Sequence, residues 1–420
     1  MALLQRLSVV LSACFLASAC VNVPDATTPA VEAASLVYAD GAVEEAKLLN
    51  VWIERFNYTP LESDDVKRTG TSKEIREAET RFMPVHLKDT LQATGLWGAV
   101  RVIPDTGIVG GELTISGTIE RSSGRSLTLG ITARDALGNI WLDRPYAVDA
   151  VPANYEQLLP HEWDAFQGMY NEIANDLAEA LKRRDARDIA RVRDAATLRF
   201  ARYIAPDSFA DYATERGNGR IEVERLPAPN DPIFQQVQSL RARNDMLVDV
   251  LNTHYDQFYD SMWQPYTAWR RSSLNENLAL ERIEQEATAK KVGGALAILG
   301  AIGLAAAGGE TANNTQILQG VAVAGGIMAI KSGIDQGAEK DIHEAAVQEL
   351  GASFENEIKP MVVEVDGEMI ELTGSAEAQF ARWSELLRDR YELDRGLAAE
   401  PAPRPAPDDA LGQPSSSAAY

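Results

Sequence analysis

The residues best equipped for chemistry are four histidines, His86, His161, His254 and His343, and two cysteines, Cys14 and Cys20. A zinc-binding helix face needs a second histidine four residues after the first, and His161-Glu162 and His343-Glu344 both lack it. There is no Gly-x-Ser-x-Gly elbow and no Gly-x-x-x-x-Gly-Lys-Ser/Thr loop. The glycines between Val292 and Gly309 have neither the preceding strand nor the Lys-Ser/Thr that phosphate cradling requires. The carboxylate pairs Asp64-Asp65 and Asp408-Asp409 stand in polar stretches where solvated side chains are expected. The residue inventory therefore predicts a protein that is not an enzyme and needs no metal or cofactor.

The chemistry that remains belongs to Cys20. One early cation, Arg6, precedes an apolar run from Leu7 to Leu16, and small residues lead into the cysteine, the layout of a secretory signal too short to span a bilayer. Leu16-Ala17-Ser18-Ala19-Cys20 resembles the lipobox of bacterial lipoproteins, in which the cysteine becomes diacylglyceryl-modified. The usual Leu or Val three residues before the cysteine is replaced by Ala17, with Leu16 one position further out. Leu11-Ser12-Ala13-Cys14 fits the consensus more closely but leaves only Leu7 to Val10 as apolar segment. Cys20 is thus the expected lipidation site, and the chain after it has no cysteine from which to build disulfides. One acyl chain binds membranes only marginally, whereas the two or three of a lipoprotein give lasting attachment. Lipoproteins kept in the inner membrane commonly carry Asp after the cysteine; Val21 stands here, so the resemblance implies an outer-membrane anchor on the periplasmic face.

The 420 residues, 45% hydrophobic and 24% charged, suffice for more than one core. A net charge of −22 argues against nucleic acid as a partner and against electrostatic attraction to anionic lipid, both of which need clustered cations.

The elements that must be positioned by this chain predict an α+β protein. After a signal (1–19) and an acylated flexible tether (20–39), a small strand-helix-meander domain is expected over 40–150. It should begin with a strand at Leu48 to Phe56 and a helix from Ile75 to Thr94 that Pro84 interrupts or kinks. A strand at Ala99 to Ile103 follows. Period-two alternation then marks two strands through Leu113, Ile115 and Ile119 and through Leu127, Leu129, Ile131 and Ala133, and a last strand runs from Asn139 to Tyr146. Ser122-Ser123-Gly124 and Ala136-Leu137-Gly138-Asn139 supply the hairpin turns.

Thr94-Gly95-Leu96-Trp97 leading into Val100-Arg101-Val102-Ile103-Pro104, with the paired strands around Ser116-Gly117-Thr118-Ile119 and Asp135-Ala136-Leu137-Gly138-Asn139, makes this domain similar to the periplasmic domain of the curli-secretion lipoprotein and of lipoproteins that activate penicillin-binding proteins. The likeness is one of topology over about a quarter of the chain and carries no binding residue across. As a whole the chain resembles proteobacterial envelope lipoproteins of the same layout.

Residues 151–225 read as helical, with Trp163, Phe166, Tyr170, Ile173, Leu177 and Leu181 on one core-facing side. Residues 226–358 read as a long helical hairpin. Asp231-Pro232 starts it, a stripe from Ile233 to Trp269 extends it to about Lys290, and Pro265 should kink it. Its tip is rich in Gly and Ala. Small residues recur every four positions as Gly293, Ala297, Ala301, Ala305 and Gly309 on one arm and Gly325, Ala329, Gly333 and Gly337 on the other, which permits close backbone packing.

Val292 to Gly309 would span about 27 Å as a helix, close to the hydrocarbon thickness. Six Leu, Ile or Val in that stretch contribute only on the order of −3 kcal/mol to insertion. Membrane contact and a packed water-soluble hairpin both remain open on this count. A β-hairpin with an Asp366-Gly367 turn and a final helix through Phe380, Trp383, Leu387 and Tyr391 occupy 359–395, ahead of a Pro/Ala/Ser-rich tail at 396–420 expected to be disordered. The expected role is a non-catalytic envelope component working through a protein partner, through copies of itself or through the membrane. A regulator that binds a peptidoglycan synthase or peptidoglycan is the alternative.

Overall fold

Alternating apolar residues need a surface to face, and in this chain one sheet supplies it. The computed structural model describes residues 34–61, 71–104, 110–156, 164–217, 219–305, 345–349, 351–352, 360–365 and 368–394. The sheet comprises β1 (Val51–Glu54), β2 (Asn57–Tyr58), β3 (Val100–Ile103), β4 (Leu113–Ser122), β5 (Ser126–Asp135) and β6 (Ile140–Asp149), with α1 (Lys73–Ala93) between β2 and β3. Strand order is β3-β1-β4-β5-β6, with β2 added beside β4. β1 runs parallel to both neighbours, Val51 lying opposite Val100 and Leu113. Parallel strands need a crossover, and α1 provides the one from β1 to β3. β4, β5 and β6 form the antiparallel meander expected from their alternation. The α+β class read from the sequence is the observed one.

α1 is capped by Ser72, whose side chain accepts from the Ile75 N–H at 3.3 Å. Of the interruption or kink expected at Pro84, the interruption does not occur; the helix runs through it. A proline at 84 cannot donate to the Thr80 carbonyl one turn back. That carbonyl instead accepts the Phe56 N–H, from the β1–β2 junction, at 3.0 Å. The proline thereby frees an acceptor that ties helix to sheet.

Beyond the sheet come α2 (Pro152–Glu156), α3 (Gln167–Lys182), α4 (Ala186–Ile204) and α5 (Pro206–Phe209). Trp163 lies outside the described residues, and the rest of the expected α3 stripe is present. The purely helical reading of 151–225 needs correction, because β7 (Ala213–Glu215) pairs antiparallel with β8 (Ile221–Val223). Strands this short have no local signal. They are held by tertiary docking, with the Ile221 N–H donating to the Leu137 carbonyl at 3.0 Å in the β5–β6 turn.

α6 (Pro232–Ala305) is a single helix of 74 residues, about 110 Å long. Asp231 caps it, accepting from Ile233 N at 2.8 Å and Phe234 N at 3.2 Å. It continues through Pro265 and well past Lys290. β9 (Met361–Val365) and β10 (Glu368–Leu372) pair antiparallel, as expected, and α7 (Ala376–Asp394) follows; the Asp366-Gly367 turn lies outside the described residues. The support this hairpin required comes from Met361 and Leu372, buried with Phe380, Trp383, Leu387 and Tyr391 of α7.

Two apolar cores are organised around α1 and α6. In the first, Met83, Leu87 and Leu91 of α1 meet the sheet, α3 and the Leu274 and Leu278 positions of α6. In the second, Ile75, Ala78, Phe82 and Val85 meet α6 from Val237 to Trp269 and the β9–β10–α7 unit. Both cores cross the segment boundaries read from the sequence.

Candidate functional site

The polar residues of α1 are buried because the helix has apolar neighbours on two sides, the sheet core and α6. Glu79, fully buried, accepts from Arg76 Nη1 at 2.5 Å, from Ser122 Oγ at 2.6 Å and from the Tyr266 hydroxyl at 2.6 Å. Arg270 of α6 pairs with Asp164 at 2.6 Å, and its guanidinium lies over the rings of Tyr266 at 4.2 Å and Phe166 at 4.9 Å. Burial opposes the Arg270 charge, but the Asp164 carboxylate and the surrounding tyrosines hold its pKa well above the ordinary value.

His86 is enclosed in the same seam. Its Nε2 lies 2.8 Å from Gln167 Oε1, and its Nδ1 lies 2.7 Å from the Tyr259 hydroxyl. Gln167 Nε2 donates to Asn171 Oδ1 at 2.9 Å, which orients the amide so that Oε1 faces the imidazole as acceptor. The neutral ring with its proton on Nε2 satisfies every bond, and no lone pair is left for a metal or a substrate proton. Burial pulls the His86 pKa below its ordinary 6.5, with Asp164 and Asp89 acting in the opposite sense and Arg270 adding to the depression. The unfolded chain therefore binds the extra proton first as pH falls. Stability should decline as pH drops from about 6.5 towards the lower folded-state pKa, and His86→Gln should flatten that part of the curve. Urea unfolding at pH 7.5 and at pH 5.5 checks this; equal pH dependence in the two proteins would refute it.

The residues singled out in the sequence lie elsewhere. Gly293, Ala297, Ala301 and Ala305 all fall on α6, where a spacing of four places them along one side of the helix. Gly309, Gly325, Ala329, Gly333 and Gly337 lie outside the described residues, as do Cys20, the two carboxylate pairs, His161 and His343. Among the described residues, no helix is long and apolar enough to cross a membrane, and no group of three or more His, Cys, Asp or Glu could hold a metal ion.

A feature the sequence reading passed over is a groove of about 770 Å³ under the α3–α4 corner. Its walls are the β5–β6 turn, the start of α4 and the β7–β8 turn, and Arg184, Arg191, Arg216 and Arg220 face into it. The Arg184 guanidinium stacks 3.7 Å from the Trp141 ring and donates to the Ala180 carbonyl. Arg191 pairs with Asp188 at 2.5 Å and Arg216 with Glu222, all four being surface side chains. Asp135, the remaining acid of the lining, is saturated by Asn139 N at 2.8 Å, Asn139 Nδ2 at 3.0 Å and Trp141 Nε1 at 2.9 Å. The signal was present in the sequence: between Lys182 and Arg202 stand eight Lys and Arg against three Asp. Averaging the charge over the whole chain hid it.

No protein-family model, no curated protein and no solved structure matches the chain.

Proposed function

We propose that this chain is a non-catalytic component of a bacterial cell envelope, anchored by lipid at Cys20 to the periplasmic face of the outer membrane, whose helical arm assembles with further copies of itself. The observation that carries the reading is the course of α6. Its backbone runs as one helix from Pro232 to Ala305, about 110 Å at 1.5 Å per residue. A helix of that length needs packing along it, since helical stability in proteins comes mostly from tertiary contacts of one face. The small side chains of Gly293, Ala297, Ala301 and Ala305 permit a partner to approach closely. The polar seam ties His86 to Tyr259 and Gln167 and Arg270 to Asp164, which supports a structural rather than a catalytic part for the body.

Light scattering on detergent-purified full-length chain is expected to give an oligomer, and the same chain lacking 292–330 a monomer. Equal protomer numbers in the two would end the assembly reading. Cys20→Ser should move the protein out of the membrane fraction; unchanged fractionation would remove the anchor.

A further inference from the structure

We propose that the groove under the α3–α4 corner is a binding site for a phosphate-bearing ligand, held between Arg184, Arg191, Arg216 and Arg220. Guanidinium groups from α4, from the β7–β8 turn and from the end of α3 converge there, in a chain whose net charge is −22. Arg184 is the anchor. Stacking on Trp141 fixes the plane of its fork, and among the described residues no carboxylate lies within ion-pair distance of it. Burial pulls the pKa of Arg184 and of neighbouring Arg199 below the ordinary arginine value, whereas partnered Arg101, opposed by burial but bonded to Asp249, stays above it. The lining sets Arg184, Arg191, Arg216 and Arg220 against three acids, Asp135, Asp188 and Glu222.

The walls are already set in place, which lowers the ordering cost of binding. Arg199 Nε donates to the Ala136 carbonyl at 2.6 Å and Arg199 Nη2 to the Gly219 carbonyl at 2.9 Å, joining α4 to both turns. Gly138, at φ +85°, packs so tightly that a Cβ there would come within 2.6 Å of the Gly219 carbonyl oxygen.

The choice of phosphate follows from the acids in the lining. Asp188 and Glu222 already offer carboxylates to Arg191 and Arg216, so a monocarboxylate brings nothing those lack. Exposed pairs of this kind are worth about 0–1 kcal/mol and exchange readily. A phosphate group adds charge and a third acceptor oxygen, enough to bridge forks on opposite walls. The volume is that of a small-molecule site, sufficient for a phosphorylated metabolite or a lipid headgroup.

The test uses the full chain and two probes. Inorganic pyrophosphate titrated calorimetrically at low ionic strength should bind saturably, and Arg184→Gln should weaken it roughly tenfold. The double variant Arg191→Gln/Arg216→Gln, which alters only exposed side chains and should leave the unfolding midpoint unchanged, should weaken it similarly and serves if Arg184→Gln fails to fold. Vesicles of phosphatidylglycerol compared with phosphatidylcholine form the second arm. Arginine-dependent pyrophosphate binding without a preference for phosphatidylglycerol assigns a soluble ligand, and an arginine-dependent preference for phosphatidylglycerol assigns a headgroup. Binding that does not depend on the arginines in either arm, or citrate bound as tightly as pyrophosphate, overturns the proposal. None of these residues belongs to α6, so the result is independent of the assembly reading.

Discussion

Asp164→Ala is expected to cost about 3–5 kcal/mol of unfolding free energy, because it strands the buried Arg270 cation. Both side chains of the pair are almost completely inaccessible, at 2% for Arg270 and 6% for Asp164. Alanine leaves a guanidinium enclosed by Tyr266 and Phe166 with no counter-charge, and ring faces compensate for only part of that loss. The same substitution removes the bond from Phe166 N to Asp164 Oδ1, 2.8 Å long, at the entry to α3. The decisive comparison is with Asp164→Leu/Arg270→Met. Removing both charges eliminates the penalty of a lone buried ion, so the double variant should recover most of the loss. Urea denaturation of the three proteins measures this. A single-variant change of the size seen at exposed positions, or a double variant no better than the single, would show that the pair does not lock α6 to the body.

That pair shows where sequence reading reaches its limit. Periodicity is local, so β4, β5, the stripe of α6 and the Phe380, Trp383, Leu387 and Tyr391 face of α7 were all legible. Arg270 stands directly after core residue Trp269 and is itself buried because α6 is enclosed there on more than one side. Its partner is 106 positions away, a separation that no local pattern encodes. The inward charges of α1 escape local patterns for the same reason. A helix with one apolar stripe exposes its charges, but this one feeds Met83, Leu87 and Leu91 into one core and Ile75, Phe82 and Val85 into the other. Arg76, Glu79 and Arg81 then have nowhere to go but inward. The interruption expected at Pro84 fails for a related reason. The rule that proline breaks a helix concerns the helix alone, and the N–H that takes up the freed carbonyl comes from Phe56 in the sheet. The groove differs: its arginine excess was readable, but its walls come from three separated segments that only the fold brings together.

Gly124→Ala should be as damaging, although it adds a single methyl group. A Cβ at Gly124 would stand 1.8 Å from the Arg270 carbonyl oxygen and 2.5 Å from the Leu274 nitrogen. Both are backbone atoms of α6, so no rotamer change can relieve the overlap. The β4–β5 turn must lift off the helix instead. Lifting it stretches the bond from the Tyr155 hydroxyl to the Gly124 carbonyl, now 2.7 Å, and the weaker one from Gly124 N to Ser273 Oγ at 3.4 Å. It also displaces the backbone of Arg270, itself one member of the buried ion pair. Overpacking ordinarily costs about 1–3 kcal/mol, and immovable backbone on the far side raises the expectation to about 3–5 kcal/mol. Gly217→Ala is the matched control, since a Cβ there meets nothing within 4 Å, and it should change stability by no more than about 0.5 kcal/mol. Thermal unfolding of the two variants side by side reads the difference. Hydrogen exchange should in addition show lost protection in α6 around Arg270 for Gly124→Ala alone. Equal midpoints for the two alanine variants would mean that the turn does not rest on the helix backbone, and that the sheet and α6 are held together by their side chains only.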